Sequence, residues 1–556
     1  MNMKKKFVLG IVLLFIAPVF FVSCKNKDRK LTSEEIIASI KDQLKGADTI
    51  PIDRTIDSLT AFNTIFLDSN DVKQFMLDNP EFEPYITEMI GFYKTRNFQY
   101  AWFDSTGMIE QASNFINVLN NNAGLNHDST LLDKKLYTLY EKLTNIDVDS
   151  TKKSQKDVLE AEIRLTGQFF KYASSVYEGK NLDVVKLGWF IPRKKIDMNV
   201  LFDSTVKARK LNDEKLFMNP IYSSLQKQFI QYSKLKEEPW DTVKLIGKKL
   251  AATDSAGVLI IKQRLAKFGD LPENAVNNVY DSAFTDAVKS YQYRYGLNQT
   301  GVPDKAFIQS FNTPLDTLLK RLAINLERAK WMPAEMPSTY AWVNIPEYKL
   351  QVFENNNKAF DMNVVVGSQA NNTVIFTDIM EYVVFAPYWG IPRSIVKKEI
   401  MPAMRRSGSY LARNDMEITG YSGGIPNIRQ KPGPKNSLGL VKFLFPNAYD
   451  IYFHDTPSKW AFDKNNRSLS HGCIRLQDPA KFAQWVLRYN AEKYNPQYID
   501  SMMHKNTKET YIKIKQENQV PVYLVYFTSW IDESGKLMFR NDIYKHDAEM
   551  AKKLFI

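Results

Sequence analysis

The residues best suited to chemistry lie in one short segment, Ser470 to Arg475. It contains Cys473, one of two cysteines in 556 residues, and His471 stands two positions before it. A second histidine, His454, lies upstream. A thiol beside an imidazole is a nucleophile beside a base, because the imidazole can take the thiol proton or stabilise the thiolate. The sequence therefore predicts Cys473 as a nucleophile.

The local pattern indicates how these side chains are presented. Positions two apart in an extended chain share one face, so we expect His471 and Cys473 to point the same way. Gly472 between them lets another backbone or a substrate approach closely. His454 ends an apolar, aromatic run that begins at Asp450, and we expect it on a neighbouring strand.

Two plainer interpretations stay open on the residues alone. Free cysteine is often a small buried hydrophobic side chain. Two histidines and one cysteine, here His454, His471 and Cys473, can also hold a catalytic zinc ion. The remaining histidines lack such neighbours and are predicted at the surface: His127, His504 and His546.

The two segments together resemble the signature of the L,D-transpeptidase (YkuD-type) family. That signature is a histidine, a gap of somewhat under twenty residues, and Ser/Thr-His-Gly-Cys followed by an apolar residue and Asn or Arg. This chain has Ser470 to Cys473, then Ile474 and Arg475, with His454 upstream. The composite spacing uses rare residues, so the match is specific.

The resemblance implies a role for each site residue. Cys473 is the nucleophile and His454 its general base. Supporting or oxyanion-binding positions are His471, Gly472 and Ser470. Candidate substrate contacts are Arg475, Tyr452 and Trp389. No metal or organic cofactor is implied.

The N-terminus indicates export. Three lysines at positions 4–6 precede an uncharged apolar run, Phe7 to Val22, which is short for a membrane span. The run ends at Ser23-Cys24 and resembles a lipoprotein signal, in which residues 1–23 are removed and Cys24 carries a diacylglycerol. An uncleaved signal anchor is the alternative. Lipidation of Cys24 would leave Cys473 as the sole thiol of an exported protein, which favours a catalytic role for it.

Composition limits the remaining possibilities. A chain of 556 residues with 44% hydrophobic residues can bury several cores, and its size predicts about three domains. The net charge of +12 suits an envelope protein facing anionic lipid and wall material. No nucleic-acid motif accompanies the charge, so we assign it to lysines scattered over solvated faces and expect no nucleic-acid partner.

Tyr100 to Phe103 and Glu162 to Thr166 resemble the helical scaffold of the family's longer subgroup. The run Ala287 to Leu297, continued by Gly301 to Asp304, resembles the three-helix peptidoglycan-binding module. The resemblance therefore implies a multidomain α+β protein. Its parts are a signal over 1–23, a membrane tether over 24–52, a helical scaffold over 53–253, a three-helix peptidoglycan-binding module over 254–312, and a mostly-β catalytic domain over 333–556 with a capping insertion at about 394–439.

Apolar spacing within residues 254–312 predicts two amphipathic helices. The first helix would bury Ile260, Ile261, Leu265 and Phe268. The second would bury Tyr280, Phe284, Val288 and Tyr291. We interpret these aromatic side chains as core residues rather than ligand contacts.

Local patterns also predict elements near the site. A helix is expected over 315–330, a hairpin turn at Asn355-Asn356-Asn357, a helix over 395–404 and a Gly/Pro-rich loop over 423–434. Strands are predicted at Tyr340 to Asn344, Lys349 to Phe353, Asp361 to Val366, Tyr382 to Phe385 and Pro521 to Trp530.

The resemblance implies an activity. Cys473 would attack the carbonyl between meso-diaminopimelate and the terminal D-Ala of a tetrapeptide stem, and a second stem would resolve the thioester as a 3-3 cross-link. Water as acceptor would make an L,D-carboxypeptidase, and a protein lysine would make a wall-anchoring enzyme. A non-catalytic wall-binding lipoprotein and an unrelated cysteine protease are the rivals from other classes.

The expected partners follow from the same resemblance. They are peptidoglycan stem peptides, a membrane reached through the lipid anchor, and a peptidoglycan synthase. The expected location is the periplasmic side of a Gram-negative-type envelope, at the outer membrane rather than the inner.

Overall fold

The computed structural model describes residues 32–52, 65–126, 132–144, 154–179, 182, 184–192, 201 and 219–555. Cys24, His127 and the expected signal over 1–23 lie outside the described residues. Over these described ranges, the search for a helix with the length and apolar character of a bilayer span finds none.

The chain divides into two compact units, Met1–Ala112 with Asp133–Phe170, and Ser113–Leu132 with Lys171–Ile556. The described part of the first 253 residues is mainly helical, as predicted: α1 (Ser33–Ala47), α2 (Ser69–Asp78), α3 (Ile86–Lys94), α4 (Glu110–Asn126), α5 (Lys134–Thr144), α6 (Gln155–Ala173) and α7 (Pro220–Lys234), with a small hairpin of β1 (Phe103–Asp104) and β2 (Gly107–Met108). Helix α1 begins at a capping box in which Thr32 and Glu35 satisfy each other's backbone N–H groups. It lies within the segment 24–52 that was predicted as a membrane tether.

Three helices follow as predicted: α8 (Ser255–Lys267), α9 (Ser282–Arg294) and α10 (Lys305–Phe311). Each begins at an aspartate whose side chain accepts a backbone N–H of the first turn. Phe284, Val288 and Tyr291 are buried in the shared core of these helices. The interpretation of the aromatic positions as core is confirmed for Phe284 and Tyr291, while Tyr280 packs on the core partly exposed.

Helix α11 (Leu315–Lys330) leads into an eleven-stranded mixed sheet. Its strands are β3 (Tyr340–Asn344), β4 (Lys349–Glu354), β5 (Asn357–Gly367), β6 (Thr377–Met380), β7 (Tyr382–Phe385), β11 (Val441–Leu444), β12 (Phe453–His454), β13 (Ser468–Ser470), β14 (Ile474–Leu476), β15 (Thr510–Lys513) and β16 (Val520–Val525). They are ordered β15-β7-β11-β12-β14-β5-β4-β3-β16-β6, with β13 paired to β5.

The predicted elements around the sheet are largely confirmed. The turn between β4 and β5 has Asn355 and Asn356 at positive φ, a conformation that asparagine tolerates better than most residues. The single strand expected over 521–530 is two strands, because the chain leaves β16 after Val525 and resumes as β17 (Ser529–Ile531), which pairs with β18 (Leu537–Phe539). Helices α15 (Pro479–Val486), α16 (Pro496–His504) and α17 (His546–Leu554) complete the C-terminal part.

The insertion between β7 and β11 has a small core of its own. After β8 (Trp389–Gly390) come α12 (Arg393–Ile395), a π-helical turn (Val396–Ile400), α13 (Met401–Arg406) and α14 (Tyr410–Arg413). The predicted helix over 395–404 is confirmed as a longer helical stretch. The buried residues of the insertion form one apolar cluster: Ile391, Ile395, Val396, Ile400 and Ile428.

The expectation of a Gly/Pro-rich loop over 423–434 is wrong for its first half. Residues β9 (Met416–Ser422) and β10 (Ile425–Gln430) form an antiparallel hairpin. Gly423 and Gly424 both have positive φ, which a two-residue turn of this kind requires. The glycines therefore close a hairpin instead of interrupting regular structure.

A buried ion pair joins the three-helix module to the β17–β18 hairpin. Arg294 and Asp270 have side chains that are 2% and 1% exposed. The Nε atom of Arg294 donates to Asp270 at 2.9 Å, and an Nη atom donates to the carbonyl of Leu537 at 3.1 Å. The guanidinium of Arg294 thus donates hydrogen bonds both within the three-helix module and to the β17–β18 hairpin.

Replacing Arg294→Ala should lower the free energy of unfolding by about 3–5 kcal/mol, because Asp270 would keep a buried charge without its partner. Lys289→Ala removes an exposed ion pair with Asp286 from the same helix. It should change the free energy of unfolding by less than about 1 kcal/mol. Chemical denaturation of both variants measures the difference. Equal destabilisation would contradict the importance of the buried pair.

Candidate active site

Two short parallel strands bring the predicted catalytic residues together. Strands β12 and β14 pair with Phe453 opposite Ile474 and His454 opposite Arg475. Phe453 and Ile474 are fully buried, so the alternate residues of each strand, with Cys473 just before β14, lie toward the other face. The prediction that His454 comes from a neighbouring strand is confirmed. His454 and Cys473 therefore belong to adjacent segments of the sheet.

The chain bends at the cysteine. Strand β13 ends at Ser470, β14 begins at Ile474, and Gly472 between them has φ 121°. The expectation of an extended segment with His471 and Cys473 on one face is therefore wrong: the positive φ of Gly472 breaks the alternation on which it rested.

The serine before the cysteine closes this turn. The hydroxyl of Ser470 donates to the carbonyl of Cys473 at 2.6 Å and accepts the N–H of Gly472 at 3.2 Å. The amide of Gly472 is thereby occupied within the turn itself.

A buried threonine holds the turn from the other side. The hydroxyl of Thr373, 1% exposed, donates to the carbonyl of Gly472 at 2.7 Å and accepts the N–H of Gly367 at 2.9 Å. Tyr544 accepts the N–H of Thr373 at 3.2 Å and donates to the carbonyl of Gly367 at 2.6 Å. Neither side chain is predicted from the sequence, because nothing in its local pattern indicates a partner so far along the chain.

The thiol of Cys473 is half-buried and un-ionised at neutral pH. Its Sγ atom donates to the carbonyl of Asp450 at 3.4 Å, and the hydroxyl of Tyr452 hydrogen-bonds to it. Burial raises the pKa of Cys473 to about 11, and the hydrogen bonds from Tyr452 and the charge of Arg475 offset this only in part. Tyr452, a predicted substrate contact, therefore lies directly beside the nucleophile.

The imidazole of His454 is neutral as well. It is 4% exposed, and its Nδ1 faces the carbonyl of Asp455 at 2.5 Å. A carbonyl can only accept, so Nδ1 carries the proton and the lone pair of the neutral ring is on Nε2. Burial, with a smaller contribution from the charge of Arg475, lowers the pKa of His454 to about 3. The site thus combines a protonated thiol with an unprotonated base.

The second histidine of the motif contacts the insertion. His471 is exposed, and its Nε2 lies 3.1 Å from Oε1 of Glu399 in the π-helical turn. The predicted capping insertion therefore reaches the catalytic turn through this pair. Trp389, a predicted substrate contact, is half-buried against the apolar cluster of the same insertion.

Arg475 follows the motif on the same face as Cys473. Its side chain is partly buried, and among the described residues its Nε atom has no hydrogen-bond partner. Its charge acts on both neighbours, because it favours the thiolate of Cys473 and disfavours the imidazolium of His454. A buried guanidinium with an unused donor can bind a carboxylate.

The other described histidines differ from each other. His504 is exposed beside Asp500, as predicted. His546 packs edge-on against Tyr526 and Tyr544, with ring centroids 4.8 and 5.8 Å away. Burial lowers its pKa to about 4. The surface prediction for His546 is therefore wrong, because the aromatic pair encloses its ring.

Three families of known domains match the chain. Residues 338–520 match the family described as "L,D-transpeptidase catalytic domain" (YkuD), and residues 87–238 match "Scaffold domain". Residues 254–310 match "Putative peptidoglycan binding domain". The first match contains His454 and Cys473. It also contains the insertion between β7 and β11.

A curated relative has a name that agrees with the first of these families. A "Putative L,D-transpeptidase" of Haemophilus influenzae is 28% identical over 249 residues, which cover 42% of this chain and 49% of that protein. The match thus spans about half the length of this curated relative.

Two solved structures are also similar. An L,D-transpeptidase from Mycobacterium smegmatis is 12% identical over 34% of this chain and 58% of its own, with a TM-score of 0.17. Residues 123–326 of the L,D-transpeptidase from Xylanimonas cellulosilytica are 15% identical over 52% of this chain and 100% of theirs, with a TM-score of 0.16.

Thr373→Val should lower the acylation rate of Cys473 by about one to two orders of magnitude, because the turn loses its hydrogen bond to Gly472 and the thiol shifts. Thr377→Val is the matched control, since its hydroxyl also donates to a carbonyl, that of Val522 at 2.9 Å. Acylation rates by mass spectrometry compare the two. Equal rates would show that Thr373 does not position the nucleophile.

Alkylation of Cys473 by iodoacetamide should accelerate about tenfold per pH unit between about pH 7 and pH 10, since the thiolate reacts and its pKa lies near 11. Peptide mapping follows this cysteine separately, and glutathione alkylated in parallel should level off near its own, lower pKa. A rate for Cys473 that is already constant from about pH 6 to pH 8 would reveal a preformed thiolate–imidazolium pair instead.

Proposed function

Because the chain carries the catalytic domain of the L,D-transpeptidase family, we propose that it is a cysteine-dependent acyltransferase that forms 3-3 cross-links between peptidoglycan stem peptides. The observation that carries the proposal is the placement of Cys473 and His454 on one face of two adjacent parallel strands, inside the matched residues. The peptidoglycan-binding match beside it supports the same substrate.

Acylation begins from the neutral pair. As Sγ of Cys473 attacks the carbonyl that joins meso-diaminopimelate to the terminal D-Ala of the donor stem, Nε2 of His454 takes the thiol proton. The carbonyl of Asp455 stabilises the resulting imidazolium through Nδ1–H. The proton then passes to the departing amine of D-Ala, and the donor stem stays on Cys473 as a thioester.

The oxyanion of this step requires a donor at the turn. Ser470 occupies the amide of Gly472, so we assign the role to the backbone N–H of Cys473. A single such donor is typically worth about 3 kcal/mol of transition-state stabilisation. His471 supports the turn from the insertion side through Glu399.

The substrate carboxylate has a natural partner in Arg475. Its Nε atom, which has no hydrogen-bond partner among the described residues, belongs to a residue two positions after Cys473 and on the same face of the strand. A carboxylate of the diaminopimelate residue held there would orient the adjacent carbonyl toward Cys473. Tyr452, which interacts with the thiol, would close the space around it.

Deacylation decides between the alternatives. The side-chain amine of a second diaminopimelate attacks the thioester, and His454 accepts its proton. Water in the same position would make an L,D-carboxypeptidase, and a lysine of an envelope protein would make a wall-anchoring enzyme. We further propose that the protein acts at the cell envelope, tethered through Cys24. The peptidoglycan-binding match and the lipoprotein-like N-terminal sequence support this location.

Cys473→Ala should abolish 3-3 dimer formation and leave the thermal melting temperature nearly unchanged, because the thioester needs the sulfur and alanine fits a half-buried site. Mass analysis of muropeptides, with purified tetrapeptide stems as substrate, reads out dimers, tripeptides and protein-linked stems separately. Tripeptides without dimers would identify a carboxypeptidase. Full cross-linking by the folded variant would contradict the proposal.

A further inference from the structure

A cavity of about 1110 Å³ lies apart from the cysteine site. Strands β3 and β4, the β17–β18 hairpin and the start of α7 supply its walls, and none of the residues around Cys473 contributes to it. Pockets for single small molecules usually measure about 300–1,000 Å³. The cavity therefore has room for a ligand of several rings.

Aromatic side chains form one part of its wall. Tyr340 and Phe353 stack on each other with centroids 4.6 Å apart and planes at 11°, and both stay half-exposed. Because stacking covers only one face of each ring, the other face and the edges remain available to a ligand in the cavity. Trp342 and the half-exposed Trp530 extend the same wall. Ring faces carry partial negative charge and pack on C–H groups or cations.

The charges of the wall exclude an anionic ligand. The lining carboxylates are Glu335, Glu347, Asp361, Asp532 and Glu533. Both lining lysines are already paired, Lys349 with Asp361 at 2.9 Å and Lys358 with Asp361 at 2.9 Å and with Glu533 at 2.7 Å. No ammonium in the cavity wall is therefore left over for a ligand phosphate or carboxylate.

One carboxyl group has unused hydrogen-bonding capacity. Glu347 faces the cavity half-buried, and its side chain accepts a long hydrogen bond of 3.4 Å from the amide of Gln351. Burial raises the pKa of Glu347 to about 7, so near neutrality it can donate as well as accept. Amides and hydroxyls around it add neutral partners: Gln351, Asn356, Ser224 and Ser534.

We propose that this cavity binds a neutral saccharide of more than one ring. The C–H faces of pyranose rings would pack on the aromatic wall, and ring hydroxyls would bond to Glu347 and Gln351. This inference rests on the proposed function only for the source of the saccharide. For an enzyme that acts on peptidoglycan, that source is the glycan strand that carries the stem peptides. Binding of the strand here would raise the local concentration of its stems at Cys473 without adding a contact to the reacting peptide.

Isothermal titration of the full chain with the tetramer of N-acetylglucosamine tests the proposal. Trp530→Ala and Glu347→Gln should each weaken binding at least tenfold. Trp460→Ala is the matched control, since this indole is 60% exposed and lies outside the cavity, and it should bind like the unaltered protein. Thermal melting of each variant confirms that it is folded.

Failure of the unaltered protein to bind the tetramer would overturn the proposal, as would unchanged binding by both cavity variants. Binding of a diaminopimelyl peptide in place of the saccharide would also overturn it, in favour of a cationic ligand. Carbapenem acylation of Cys473, measured on the same samples, separates the two hypotheses. Acylation without saccharide binding rejects the cavity alone, and saccharide binding without acylation rejects the proposed function alone.

Discussion

The parallel pairing of β12 with β14 is the constraint on which the site depends. The two strands are only two and three residues long, so they cannot hold their register alone. They are held by their neighbours in the sheet, since β12 also pairs with β11 and β14 also pairs with β5. The relative placement of His454 and Cys473 therefore depends on the whole sheet.

Burial has a larger effect on the protonation of Cys473 and His454 than the charge of Arg475 has. The charge of Arg475 alone would favour a thiolate, yet burial is the larger effect and leaves Cys473 protonated. The same burial leaves His454 unprotonated. Keeping both groups neutral avoids the several kcal/mol that burying an ion pair costs before substrate arrives. Charge then develops only during attack, where the carbonyl of Asp455 and a turn amide can stabilise it.

Local signals in the sequence predicted the elements that depend on local forces. Helix α11 and strands β3 and β7 have the predicted bounds, because their apolar periodicity and breakers act within a few residues. The motif predicts Cys473 as the nucleophile and His454 as the base, and the pairing of β12 with β14 brings their two segments side by side. Two of the errors arose at glycines with positive φ: Gly472 breaks the predicted alternation, and Gly423 closes a hairpin where a loop was expected. Thr373, Tyr544 and Glu399 were missed, because their contacts join positions far apart in sequence and leave no periodic trace.

The central claim is that His454 takes the proton of a neutral Cys473 during attack. Its most direct test is the rate at which a carbapenem acylates the protein, followed by intact-mass spectrometry and peptide mapping, for the unaltered chain, His454→Ala and the exposed-histidine control His504→Ala. The account predicts one adduct, on Cys473, forming about two to four orders of magnitude more slowly in His454→Ala and unchanged in His504→Ala. An adduct elsewhere, or acylation of Cys473 indifferent to His454, would contradict it.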